Sequence, residues 1–277
     1  MRIVVLTSQP VPRAASVTTE CLELLRTWGV HVDVLLPANL VDLSSLEPAA
    51  DLYLLKSVNE HIVSVASALE AAGARCLNTA HTVRLCRDRV ASTVALAAHG
   101  VPVPQTWTTA DLPALESLLD DGPVVLKAGR VGAGVGNRVV WDVDELLDIP
   151  LSGQPWLVQR LQETSSRDRK IYRIGSQVFG VKRRWPATSL EEKLGEPFTV
   201  TAELHEITER VAAALGTDLF GLDLVETPDG PVAVDVHPFP GFKGVPNGAL
   251  RLADYIYAAM DAAPGTHHAR TTQEVSS

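Results

Sequence analysis

The chain has 277 residues, 46% of them hydrophobic, and its 24 Lys and Arg against 33 Asp and Glu give a formal net charge of -9. That length fits one large domain or two to three smaller ones at roughly 100–200 residues each, and the acidic balance argues against nucleic-acid binding through a broadly basic surface. No apolar run approaches the ~20 residues that cross a bilayer, so no membrane span is expected.

The opening stretch Met1-Arg2-Ile3-Val4-Val5-Leu6-Thr7 is too short and too quickly polar for a secretion signal and reads as a first strand. A helix over residues 15–28 follows, with Leu22, Leu25 and Trp28 on one stripe and Gly29 as its stop. Strands come next at 31–36 and 51–56, then a helix over 60–72 ended by Gly73, and a short strand at 74–77. This alternation predicts a parallel sheet with helices packed on it. No Gly-x-Gly-x-x-Gly follows the first strand, which speaks against a dinucleotide turn there. The three cysteines, Cys21, Cys76 and Cys86, are not spaced for metal, and they place the chain in a reduced, cytoplasmic setting.

A helix from 82 to 99 ends at Gly100, because Val101-Pro102-Val103-Pro104 cannot continue it. The expected boundary lies near residue 85, with a second domain over 86–261 and a disordered tail over 262–277. Within the second domain, a lid subdomain covers about 100–157 and a C-terminal subdomain about 158–261. A helix over 112–119 precedes the strand Pro123-Val124-Val125-Leu126-Lys127-Ala128, whose only charge is Lys127. A glycine-rich turn carrying Gly132, Gly134 and Gly136 leads directly into Val139-Val140-Trp141. A Walker loop would need Gly-Lys-Ser/Thr followed by a helix, and both are missing. A glycine hairpin can still lay its N–H groups over phosphates, because glycine allows close approach.

The strand at 156–161 leads into a polar loop and then a hairpin, 169–174 and 178–184, around Gly175-Ser176-Gln177. Seven basic residues lie between Arg167 and Arg184, opposed only by Asp168, which makes this hairpin a candidate anion site. The segment 189–195 reads as a mobile loop and 201–215 as an amphipathic helix stopped by Gly216. The run from Gly221 to Pro238 reads as a β-hairpin with a three-residue loop, Pro228-Asp229-Gly230. That loop would pair Thr227 with Pro231 and set Asp223 opposite Asp235. Asp223, Asp235 and His237 then share one face with Val225 and Ala233, while Leu222, Leu224, Val234 and Val236 occupy the other. Like charges directly opposite are destabilising, a cost that a cation between them turns into a gain. A closing helix is expected over 249–260.

In this order, a Lys-bearing strand, a glycine hairpin, a Gln-bearing strand, a basic hairpin and an acidic strand pair resemble the ATP-grasp superfamily. The resemblance covers residues 1 to about 261 and is strongest to carboxylate–amine ligases of ribosomal-protein modification and lysine biosynthesis. It implies an α/β, α+β ATP-grasp fold: a parallel N-terminal α/β domain, then two α+β subdomains that clasp ATP. The match is not complete. Lys170 stands where the family has Arg, Asp235 where it has Glu, His237 where it has Asn, and Arg89 of the Asp88-Arg89 pair where it has Lys; Gln159-Arg160 replaces Gln-Glu on the hinge strand. The stretch from Asp235 to Val245 also resembles inositol polyphosphate kinases, which share the fold.

The resemblance implies these roles. Lys127 and Arg89 neutralise α- and β-phosphates, and Gly132, Gly134 and Gly136 cover them; Lys182 joins the nucleotide-binding set. Gln159, Arg160 and Leu161 hold adenine through their backbone, and Glu163 reaches ribose. Asp223, Asp235 and His237 hold Mg²⁺ or Mn²⁺. Lys170 and Arg184 steady the transferred phosphoryl group or the substrate carboxylate. The expected activity is ATP-dependent ligation of a small-molecule or peptide carboxylate to an amine through an acyl phosphate, with no nucleic-acid or membrane partner. A homo-oligomer stays open beside a monomer. The alternatives are an inositol-phosphate type of kinase and a nucleotide-binding protein without catalysis. Residues 1–85 carry six Lys and Arg against eight Asp and Glu, too acidic for a polyphosphate receptor, which favours the ligase.

Overall fold

A computed structural model of the chain describes residues 1–9, 16–131, 136–149, 155–164, 167–184 and 194–261, without the side chains of Arg167 and Arg184. By its contacts the chain forms two compact units, one over 81–246 and one built from both chain ends, 1–80 with residues from 247 on.

The first unit opens with strand β1 (Arg2–Thr7), helix α1 (Val17–Thr27), β2 (His31–Leu35), β3 (Leu52–Lys56), α2 (Glu60–Ala71) and β4 (Cys76–Leu77). The four strands pair in parallel in the order β2-β1-β3-β4, as the strand–helix alternation predicted. Both helices start where a side-chain oxygen caps the first turn: Ser16 Oγ accepts from the Thr19 amide at 3.1 Å, and Asn59 Oδ1 from the Ile62 amide at 3.3 Å.

The second unit holds α3 (Ala80–Arg87), whose first residue falls just before it, α4 (Arg89–Ala98), β5 (Thr106–Thr109), α5 (Glu116–Leu119), β6 (Val124–Ala128), β7 (Arg138–Val140), β8 (Trp156–Arg160), β9 (Arg167–Ile174), β10 (Gln177–Arg184), β11 (Glu196–Phe198), α6 (Ala202–Leu215), β12 (Leu219–Thr227) and β13 (Gly230–His237). The single helix expected over 82–99 is broken at Asp88. This residue is extended, forms an isolated bridge with Arg130, and caps α4 by accepting from the Ala91 amide at 3.0 Å. Two antiparallel sheets follow, β5-β8-β6-β7 and β11-β10-β9-β12-β13. The second packs Ile171, Leu222, Leu224, Ala233 and Val236 against Leu204, Ile207, Val211 and Leu215 of α6, all buried. Gly180 is needed there, because a Cβ at this position would lie 2.6 Å from the Phe198 ring.

The last helix, α7 (Gly248–Asp261), packs on α1, with Tyr257 edge-on to Trp28 at 5.9 Å between ring centres. Arg75 donates to the carbonyls of Ala259 and Met260. By contacts this helix belongs with the first unit. No helix among the described residues is long and apolar enough to cross a membrane.

Candidate active site

The β12–β13 hairpin does set Asp223 opposite Asp235, by a different route from the one expected. Thr227 pairs with Gly230, so the loop has two residues, Pro228 and Asp229. The register then shifts between Leu224 and Asp223, which leaves Val234 outside the ladder. This bulge restores the acid pairing and reverses the faces beyond it: Ala233, expected beside the acids, lies buried with Leu224, and Val234 is not on the apolar face. Freed from the ladder, the Val234 carbonyl accepts a 2.6 Å hydrogen bond from Lys127 Nζ.

Each cation at this hairpin has an acceptor on the protein. Lys127 is 4% exposed, and burial pushes its ammonium pKa down against the pull of Asp235 and Asp223. Arg89 donates to the Ala128 carbonyl at 3.0 Å and to Asp235 Oδ2 at 3.2 Å. The cap at Asp88 places Arg89 in the first turn of α4, where the helix dipole disfavours a cation, so helix stability does not account for it. Lys170 meets Asp223 at 2.6 Å, and His237 Nε2 lies 2.9 Å from the other Asp223 oxygen. Burial pushes the Asp223 carboxyl up, but the His237 hydrogen bond and the Lys170 ammonium outweigh it and hold it well below the usual carboxylate range.

The arrangement thus gathers Arg89, Lys127, Lys170, Asp223, Asp235 and His237. Two features fit a triphosphate with a divalent ion. Two carboxylates face each other on neighbouring strands, the oxygen donors that Mg²⁺ and Mn²⁺ favour. Arg89 Nε is buried with no hydrogen-bond partner among the described residues. His237 fits less directly, since its Nε2 is turned to Asp223. Among the described residues, no three His, Cys, Asp or Glu side chains form a ready metal cluster.

The remaining nominated residues fare differently. Gly132 and Gly134 lie outside the described residues, as do the Arg184 side chain and most of the loop at 189–195; Gly136 is exposed with open space around it. Gln159 is buried, but the Arg160 amide donates to the Gln105 carbonyl at 2.9 Å and the Leu161 amide to Pro123 at 3.1 Å. Those two N–H groups are taken by strand pairing. The next backbone groups, at Gln162 and the exposed Glu163, have no backbone partner among the described residues. The Arg160 side chain turns away to the carbonyls of Leu118, Gly122 and Pro123 and lies 5.3 Å over the Trp107 ring, so it clamps the β5–β8 sheet.

The basic hairpin divides by face. Side chains alternate along a strand, and Arg169 and Arg173 lie opposite Lys170. Arg169 pairs with Glu226 at 2.9 Å and Arg173 with Glu209 of α6 at 2.7 Å. Lys182 pairs in register with Arg169 and Glu196 and shares that face, away from the Lys170–Asp223 pair. The hairpin therefore offers less free positive charge than its composition suggested. Arg183, which the sequence leaves without a role of its own, lies on the Lys170 face, because the turn has two residues and pairs Lys170 with Val181; a three-residue turn over 175–177 would have put Arg183 on the other face.

A family model described as the RimK-like ATP-grasp domain matches residues 86–256. A probable alpha-L-glutamate ligase of Xylella fastidiosa (strain M12) is 30% identical over 219 residues, 72% of this chain and 73% of that protein. Among solved structures, the RimK domain ATP-grasp protein of Sphaerobacter thermophilus DSM 20745 aligns with a TM-score of 0.75 at 22% identity, over 93% of this chain and 100% of that one. The ATP-grasp ligase PsnB, solved with a minimal precursor, Mg and ADP, aligns with a TM-score of 0.70 at 18% identity over 94% and 97%. The chain belongs to the RimK-like ATP-grasp family and is an ATP-dependent carboxylate–amine ligase.

Proposed function

We propose that this ligase works through an acyl phosphate formed at the β12–β13 hairpin. A substrate carboxylate oxygen attacks the γ-phosphorus of ATP, and ADP leaves. The amine nitrogen of the second substrate then attacks the acyl carbon, loses a proton and expels phosphate, leaving an amide. The observation that carries this reading is the closed set of charge pairs, in which each cation rests on an acceptor of the protein: Lys127 on the Val234 carbonyl, Arg89 on Asp235, and Lys170 on Asp223.

Phosphoryl transfer depends on positioning and charge neutralisation more than on a protein nucleophile. Lys127 and Arg89 exchange their protein acceptors for phosphate oxygens, Arg89 through its unpartnered Nε. The carboxylates of Asp223 and Asp235, released by Lys170 and Arg89, would hold the divalent ion, which would supply charge neutralisation for the phosphates. Mg²⁺ fits this pair, and it accompanies ADP in the PsnB complex; Mn²⁺ fits better if His237 joins as a ligand. Lys170 moves from Asp223 to the transferred phosphoryl group, joined by Arg184 through its place in the family pattern. The backbone at 162–163, rather than 160–161, takes the adenine edge. The substrates are a carboxylate and an amine, of small-molecule or peptide class.

Product analysis across a panel of carboxylate–amine pairs tests this reading. It predicts ADP, free phosphate and an amide in equal amounts. A phosphorylated acceptor with no free phosphate would mean a kinase, and no substrate-dependent ADP release would mean a binding protein.

A further inference from the structure

The outer face of α4 is apolar, where a surface helix normally turns polar side chains to water. Its exposed residues are Ala91, Val94, Ala97 and Ala98, with Val94 64% exposed. Beyond Arg89 the helix carries no charged residue. Val90, Ala91, Val94, Ala95 and Ala98 form one wall of a groove of about 650 Å³, within the ~300–1000 Å³ range of small-molecule sites. From Ala91 to Ala98 this wall runs ~10 Å at the rise of a helix. Leu96, on the other side of α4, is buried in the core with Ala233 and Val236. The groove is thus separate from the cleft at the β12–β13 hairpin. Among the described residues, none assigned above to ATP, metal or substrate lines it.

One end of the groove is polar. The isolated bridge sets Asp88 opposite Arg130, with Cβ atoms ~5 Å apart, and both residues line the groove. No ion pair joins them among the described residues. Asp88 caps α4 through Oδ1, which leaves Oδ2 as an acceptor, and the exposed Arg130 supplies donors. An acid beside a base gives a rim without net charge. A head group with a net charge would meet one like charge there, whereas a neutral head that both donates and accepts meets a partner for each function. A primary carboxamide presents N–H and C=O side by side and fits this pair.

The far side of the groove is the strand end that holds Arg89. The Arg89 amide donates to the Gly129 carbonyl at 2.8 Å, and its guanidinium donates to Ala128 and Asp235. The Gly129 amide in turn donates to the Pro155 carbonyl at 2.8 Å, and a Cβ at Gly129 would lie 2.7 Å from that oxygen, so the junction has no slack. Gly129, Arg130 and Pro155 all line the groove. A molecule seated there presses on both the helix that starts at Arg89 and the strand end that anchors it. We propose that this groove is a second ligand site, that it takes a neutral amide with an aliphatic side chain on the scale of one capped amino acid, and that its occupant raises the affinity for ATP by bracing Arg89. Binding depends on the groove alone; its effect on ATP rests on the phosphate role given to Arg89 above.

Calorimetry on the full chain tests this with N-acetyl-L-leucinamide, N-acetyl-L-leucine and L-leucinamide. The first has neither a free carboxylate nor a free amine, so it cannot enter the ligation. It is expected to bind at least about 10-fold more tightly than either charged probe. It should raise the affinity for ATP by about 5-fold, and ATP should raise its affinity by the same factor. Val94→Asp, at an exposed position, should weaken the neutral amide by about 10-fold or more and leave ATP binding without the amide unchanged. Arg130→Met leaves Asp88 as the one charge on the rim and should shift the preference to L-leucinamide. No binding of N-acetyl-L-leucinamide at about 10 mM, a preference of the wild type for a charged probe, or equal binding by Val94→Asp would overturn the site. Binding that leaves the ATP affinity unchanged would overturn the link to Arg89. Ligation of no carboxylate–amine pair would sink the ligase reading and leave this site standing.

Discussion

Replacing Asp235 by alanine separates catalysis from folding. Asp235 is 16% exposed and Arg89 14%, with 3.2 Å between charged atoms. At an effective dielectric of 20, a pair at that distance attracts by about 5 kcal/mol, most of which offsets desolvation. Removing one partner of a buried pair typically costs ~3–5 kcal/mol. Here Arg89 keeps the Ala128 carbonyl, and Asp223 loses a like charge opposite it, worth roughly 0.2–1 kcal/mol. The expected loss is therefore about 2–4 kcal/mol, which leaves the chain folded where its stability lies well within the typical ~5–15 kcal/mol. Turnover should fall by about 1000-fold or more, because the proposed oxygen ligand to the divalent ion is gone. Urea unfolding followed by circular dichroism reads the first quantity and phosphate release the second. Asp235→Asn, which keeps the volume and the acceptor for the Val236 amide, should be as inactive and more stable. Near-normal turnover in either folded variant would refute the assignment of Asp235 to the metal site.

Three further outcomes follow from particular residues. His237→Asn should raise the Mg²⁺-supported rate relative to the Mn²⁺-supported one, and an unchanged metal preference would remove His237 from the ligand set. Gly244→Ala should cost about 2–4 kcal/mol in urea unfolding, because φ is +81 and a Cβ would press on the Leu194 carbonyl; a cost below 1 kcal/mol would contradict the close approach. Cys21 and Cys86 are buried, and burial pushes their thiols up to about 12, so neither should react with a thiol reagent in the native protein at neutral pH, and prompt labelling of either would contradict that burial.

Much of the site was legible because its residues obey simple periods. The single charge in the Lys127 strand and the order of motifs follow from sequence, whereas the Asp223–Asp235 opposition was expected from a three-residue loop and is reached through a two-residue loop and a bulge. What was not legible depends on tertiary context. The bulge at Val234 has no sequence signature, yet it releases the carbonyl that Lys127 uses. The break at Asp88 needs the bridge to Arg130, 42 positions on. Composition marked the 167–184 hairpin as an anion site, but Glu226 and Glu209, which neutralise Arg169 and Arg173, come from other elements. Arg160 was nominated beside adenine because its strand was; its side chain instead closes on the carbonyls at 118–123.

The central claim is that a substrate carboxylate is phosphorylated at the Asp223–Asp235 hairpin before the amine attacks. Oxygen-18 transfer tests it most directly. With a carboxylate substrate labelled in both oxygens and unlabelled water, mass spectrometry of the released phosphate should show one labelled oxygen per phosphate, matched to amide formed. Unlabelled phosphate alongside amide would contradict the acyl-phosphate route.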